Sequence, residues 1–129
     1  MSDNYLHQFK VALHELNWGY ADQDTPEVIA KFWKDFVQGC QGIYNGSIFD
    51  FDEGVIFRTM IEPVFHRTEM RVYPSFQDFE AAIHETDKTF SALTVDARVG
   101  EFWWERALLR HTEELYQEQI KLYYGITLQ

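Results

Sequence analysis

Leu6, Phe9, Leu13 and Leu16 recur at spacings of three and four, which predicts one face of a helix from about residue 5 to 16. Ser2 or Asp3 can cap its start, and Gly19 with Asp22 and Asp24 marks its end. The sharpest boundary follows at Thr25-Pro26-Glu27, where a capping hydroxyl precedes a proline whose missing N–H is harmless at the first helical position. From there Ile29, Phe32, Trp33, Phe36, Val37, Cys40, Ile43 and Tyr44 form a stripe too wide for a helix buried on one side only. The helix over 26–44 is therefore expected at the centre of the fold. Gly39 and Gly42 weaken it by about 1 kcal/mol each relative to alanine, so they either permit a close helix crossing or bring an early end.

Asn45-Gly46-Ser47 is a turn and opens the most ambiguous stretch, residues 47–74. Ile56, Met60 and Val64 suit a helix; Val55, Phe57 and Thr59, or Met70 and Val72, suit strands. The β-branched and aromatic content, with Pro63 and Pro74 as punctuation, favours a small antiparallel hairpin here. Ser75 with Asp78 resembles a capping box, and Phe76, Phe79, Ile83, Phe90 and Leu93 continue at helical spacing. Asp96 can cap a last, long helix over 97–124 that Gly125 stops. That helix carries two apolar stripes, one through Trp104, Leu108, His111, Leu115 and Leu122 and one through Trp103, Leu109, Tyr116, Ile120 and Tyr123. Two stripes need two sets of neighbours: both lie in the domain's own core, or one meets a partner such as a second copy of the chain. The expected fold is thus mainly α, with α+β as the variant: a bundle-like single domain over 1–129, about four helices and a hairpin around 47–74.

Composition sharpens this picture. Apolar residues make up 46% of the 129 residues and charged residues 25%, the usage of an ordinary globular domain. The first residues carry no basic leader and no apolar run has the length of a membrane span, so a cytoplasmic protein is expected. Cys40 is the only cysteine, which removes intramolecular disulfides and cysteine-based zinc sites. Net charge is −10, a field that repels phosphate backbones and anionic lipid headgroups; direct nucleic-acid and membrane binding are disfavoured, and a basic partner is attracted. Aromatic residues reach 17%, more than core building alone asks for, and tyrosine and tryptophan are favoured where one end of a side chain meets a polar partner.

Catalytic chemistry finds little footing. Cys40 falls on the apolar stripe, where thiols are structural, and neither a Gly-x-Ser-x-Gly elbow nor a phosphate-binding glycine loop occurs. His66 with Glu69, His84 with Asp87 and His111 with Glu114 repeat a spacing that brings two metal ligands to one helix face. A carboxylate-bridged di-metal bundle needs the reverse order, Glu-x-x-His, so no metal and no cofactor is assigned. Arg58, His66, Arg67 and Arg71 make the one locally basic segment and can answer nearby acids internally or form an anion pocket.

The most distinctive local feature lies between Lys34 and Arg58, where no basic residue occurs. Here Asp50, Asp52 and Glu53 are interleaved with Tyr44, Phe49 and Phe51, a pattern that can present acids around aromatic anchors to a cationic surface. These six residues are the candidate partner-binding site. The function expected is an acidic interaction module for a basic protein partner, of inhibitor, immunity, antitoxin or adaptor type. The alternative is a small-molecule or metal-dependent enzyme with an aromatic-lined pocket using His84, His111 and neighbouring carboxylates.

Overall fold

The computed structural model describes the backbone of residues 2–128 and the side chains of residues 4–128. The cap expected of Ser2 or Asp3 lies outside the described residues. Helix α1 (Ser2–Glu15) turns Tyr5, Phe9, Ala12 and Leu13 inward, while Leu6 faces out. It ends before Gly19: Asn17 takes the left-handed conformation, φ 60°, and the Trp18 amide closes the end by donating to the Leu13 carbonyl at 2.9 Å. Helix α2 (Pro26–Gly39) begins where the sequence predicts, with the Thr25 hydroxyl accepting from the Val28 amide at 3.2 Å. It stops at Gly39, five residues short of the expected end.

Residues 47–74 hold no hairpin. They form helix α3 (Ile48–Phe65) and a 3-10 turn (Thr68–Val72). Ser47 starts α3, its hydroxyl accepting from the Asp50 amide at 3.0 Å, and Ile48, Phe51, Val55, Ile61, Val64 and Phe65 all reach the core. Burying six large side chains outweighs the few tenths of a kcal/mol per residue by which β-branched residues disfavour helix. Pro63 sits in the last turn, where it forgoes the bond to the Thr59 carbonyl, and the helix ends two residues later at Phe65. The close approach of α2 and α3 uses Gly54 rather than Gly39 or Gly42: a Cβ on Gly54 would overlap the Phe36 ring, whereas none of Gly39's surroundings comes within 4 Å of one.

Helix α4 (Pro74–Leu93) starts one residue before the predicted Ser75, with Pro74 at its first position and no side-chain cap. The predicted long helix over 97–124 is divided. Strand β1 (Thr94–Asp96) pairs antiparallel with β2 (Ala107–Leu109), Val95 opposite Leu108, and a loop carrying the one-turn helix α5 (Trp103–Arg106) joins them. Asp96, expected as a cap, is the last residue of β1, and its carboxylate accepts from Arg106 Nε at 3.1 Å. Only helix α6 (Glu114–Tyr124) is continuous, closed by Gly125 at φ 66° as predicted. The two stripes read along one helix belong to separate elements. Leu108 and Leu109, neighbours in β2, are both buried because that strand is covered on both faces, and Tyr116 and Ile120 of α6 are fully inside. Leu109, Tyr116 and Ile120 of the second stripe thus serve the chain's own core, whereas Tyr123, like Leu115 and Leu122 of the first, is exposed.

The fold is mainly helical with a small antiparallel sheet, as the periodicity predicts, but the sheet lies at 94–109. α2 packs most extensively against α4. Between them sits an aromatic core: Trp33 stacks on Phe36 at 5.5 Å, Phe90 meets Trp33 and Phe51, and Tyr116 meets Phe51 edge-on at 5.6 Å. No helix of the described residues is long and apolar enough to cross a membrane.

Candidate functional site

Helix α3 is apolar on both sides. With its inner side in the core, Phe49, Ile56 and Met60 remain 52%, 59% and 41% exposed. Their spacing of seven and four places them on one outward stripe. Beside it, Phe32 of α2 packs on Phe57 with ring centres 4.3 Å apart, and Trp18, Tyr20, Val28 and Met60 complete an almost wholly apolar groove of about 380 Å³. On the other flank the Tyr123 ring covers one edge of Phe49 at 5.2 Å, and Ile56 and Met60 line a second cleft with Val99 and Tyr124. Met60 belongs to both hollows, so the groove and the cleft adjoin across α3, the cleft also carrying Asp52, Arg98 and Glu105 on its wall. Scattered exposed apolar residues are ordinary, whereas a contiguous stretch with a groove marks an interaction surface.

The six residues singled out in the sequence divide. Phe49, Asp50 and Glu53 are exposed at the N-terminal end of this stripe. Phe51 is fully buried among Phe36, Phe90 and Tyr116, so it cannot be an exposed anchor. Tyr44 is also buried: its hydroxyl donates to the Ser47 carbonyl at 3.0 Å, its backbone bridges to His111 and Glu113, and burial pushes its pKa up to about 12. Asp52 faces Arg98, which donates to it at 2.8 Å, and Tyr124, whose hydroxyl donates at 2.6 Å. It fastens the β1–α5 loop and the end of α6 to α3, shaping the surface without being free to meet a partner. An i, i+3 register separates these fates: Ile48 and Phe51 turn inward together, Phe49 and Glu53 outward.

Beneath the stripe lies a polar joint that periodicity alone can flag, because Arg58 and Asp87 occupy positions on otherwise apolar helix faces. Arg58 is 1% exposed and Asp87 8%. Arg58 Nε and Nη2 donate to the two Asp87 oxygens at 2.9 Å each, Nη1 donates to Glu62 at 3.1 Å, and the guanidinium lies 4.0 Å from the Trp104 ring centre. Trp33 Nε1 donates to the same Asp87 at 3.0 Å, joining α2, α3 and α4 at one point. Trp104 Nε1 donates to the Thr59 hydroxyl, which donates to Glu105, both at 2.8 Å. The Phe102 amide, then Thr59 and the Glu101 amide, hold the Glu105 carboxyl below the ordinary glutamate range. With its charges paired and its donors used, the joint positions helices and offers no free reactive group.

The other chemical candidates are dispersed. Cys40 is buried, and burial pushes its thiol up to about 12, far from the thiolate that nucleophilic attack needs. His66 caps the end of α3 while Glu69 pairs with Arg67; Asp87 is committed to Arg58, leaving His84 exposed; His111 lies in the loop before α6. Among the described residues no three histidine, cysteine or acidic side chains converge as a metal cage. The basic segment answers acids internally, Arg67 to Glu15 and Glu69 and Arg71 to Glu80. Compared with known protein families, curated proteins and solved structures, the chain finds no match.

Proposed function

We propose that the chain is a protein-interaction module that engages a basic protein partner through the outer face of α3 and the apolar groove between α2 and α3. One observation carries the reading: Phe49, Ile56 and Met60 form an uncovered apolar stripe continuous with the Tyr20–Phe32–Phe57 groove. Asp50 and Glu53 stand at the end of that stripe on a chain of net charge −10. A second copy of the chain would bring like charge against like, whereas a cationic partner gains in both encounter rate and contact. The aromatic and thioether side chains serve as desolvated anchors and the carboxylates as a steering rim. An inhibitor, immunity, antitoxin or adaptor role needs nothing more. His84 and His111, the residues of the enzymatic alternative, line neither of the two hollows beside α3.

Photo-crosslinking in the native host tests this, with the reactive group placed in turn at Phe49, Met60 and, on another face, Lys88. The expected result is a common adduct to one basic protein from Phe49 and Met60 and none from Lys88. Asp50→Lys with Glu53→Lys should slow capture of that protein at low salt, and Met60→Ala should speed its release by a factor of about 10 or more. Adducts formed equally from Lys88, or an association rate that ignores the charge reversal, would refute the reading.

A further inference from the structure

A different part of the molecule carries a second, independent site. Where the start of α1 faces the first turns of α2 and α4, a cleft of about 430 Å³ opens, lined by Tyr5, Leu6, Glu27, Ala30, Asp78 and Phe79 among others. Tyr5 is 5% exposed, and its hydroxyl, out of contact with water, has no hydrogen-bond partner among the described residues. A buried, unpaired hydroxyl is costly, and in a folded protein it calls for an explanation. Glu27 and Asp78, both exposed, stand on the two helices at the rim, and among the described residues no basic side chain lines the cleft.

We propose that this cleft binds a small organic cation, an ammonium group on an apolar body, with Glu27 and Asp78 as counter-charges and the Tyr5 hydroxyl as hydrogen-bond acceptor. The apolar body lies on Leu6, Ala30 and Phe79. Tyr5, Leu6 and Glu27 all line the cleft, the last two as exposed residues, and a ligand in it reaches the buried hydroxyl by displacing one of these side chains. The environment matches the charge. After burial itself, the fields of Asp78 and then Glu27 push the Tyr5 pKa up to about 12, so the phenol stays neutral and its lone pairs are available to an N–H donor. An anion would meet two carboxylates and no cation. A bare metal ion would find an apolar floor where a third hard ligand is needed. A neutral apolar ligand would leave the hydroxyl unpaired.

The test is a titration of the full chain, labelled with nitrogen-15, with 2-phenylethylammonium at pH 7 and low salt, read by amide shifts. 2-Phenylethanol is the neutral counterpart and phenylacetate the anionic one. Expected are saturable shifts confined to 4–7, 25–30 and 75–82, affinity about tenfold or more above that for the alcohol, and no binding of phenylacetate. Glu27→Gln with Asp78→Asn should weaken the amine about tenfold, and Tyr5→Phe about threefold or more, with the Tyr5→Phe melting temperature equal to or above that of the parent. That melting temperature separates a lost ligand contact from a damaged fold. Non-saturating shifts up to about 10 mM, equal affinity for the alcohol, shifts spread over the acidic surface, or unchanged affinity in Tyr5→Phe would each overturn the proposal.

Discussion

Replacing Asp87 by Asn keeps the shape of the side chain and an oxygen for Trp33 but removes the charge that faces Arg58. An amide nitrogen then stands opposite a guanidinium donor, and a cation that is 1% exposed loses its bidentate partner. Breaking a buried pair from one side costs about 3–5 kcal/mol. Glu62 still accepts from Nη1 at 3.1 Å, so the lower end, about 3 kcal/mol, is expected here. A chain of this length has a total stability of about 6–19 kcal/mol, so a sixth to a half of it is lost, and the melting temperature falls by about 10 °C. Arg58→Met should cost somewhat more, about 4 kcal/mol, since it also removes the contact with Trp104 at 4.0 Å. The double variant Arg58→Met/Asp87→Asn removes both charges and keeps the acceptor for Trp33, so it should lie within about 2 kcal/mol of the parent, more stable than either single variant. Urea unfolding followed by circular dichroism gives all three values. Single variants costing under about 1 kcal/mol, or additive effects in the double variant, would show that the joint is not a coupled buried pair.

Gly54→Ala sets two effects against each other: alanine favours helix by about 1 kcal/mol, but its methyl group meets Phe36, held by Trp33 and Phe90. Overpacking costs about 1–3 kcal/mol, so a lower urea midpoint is expected, and a raised one would mean that α2 and α3 do not need the glycine. The Glu105 carboxyl is depressed below its ordinary value of 4.5, because amide N–H groups and Thr59 favour its charged form. Its stabilising contribution is therefore complete above pH 4.5 and drains away as pH falls through the lower folded value; Glu105→Gln should flatten the stability profile in that acidic window, measured by urea titration at successive pH values.

Local signals with a single physical solution were legible in the sequence. Thr25-Pro26 can only open a helix, Gly125 ends one because it alone tolerates φ 66° at no steric cost, and the spacing of Phe76, Phe79, Ile83 and Phe90 forces one buried face on α4. The acidic, aromatic run before Arg58 was visible too, but the site it belongs to was only half legible. A strand would put Phe49 and Phe51 on the same face and a helix puts them on nearly opposite ones, and the segment's β-branched and aromatic residues satisfy both periods. The choice falls to tertiary contacts: α3 can sink Phe51, Val55 and Phe65 into an aromatic core built by α2, α4 and α6, a gain that no local propensity matches. The same competition broke the expected C-terminal helix, because Thr94–Asp96 had a partner in Ala107–Leu109 whose pairing is invisible until the chain folds back. Composition and period thus determined a mainly helical, acidic domain. Which faces remain uncovered, that of α3 above all, was decided only by how the helices packed, because burial depends on neighbours that no local period specifies.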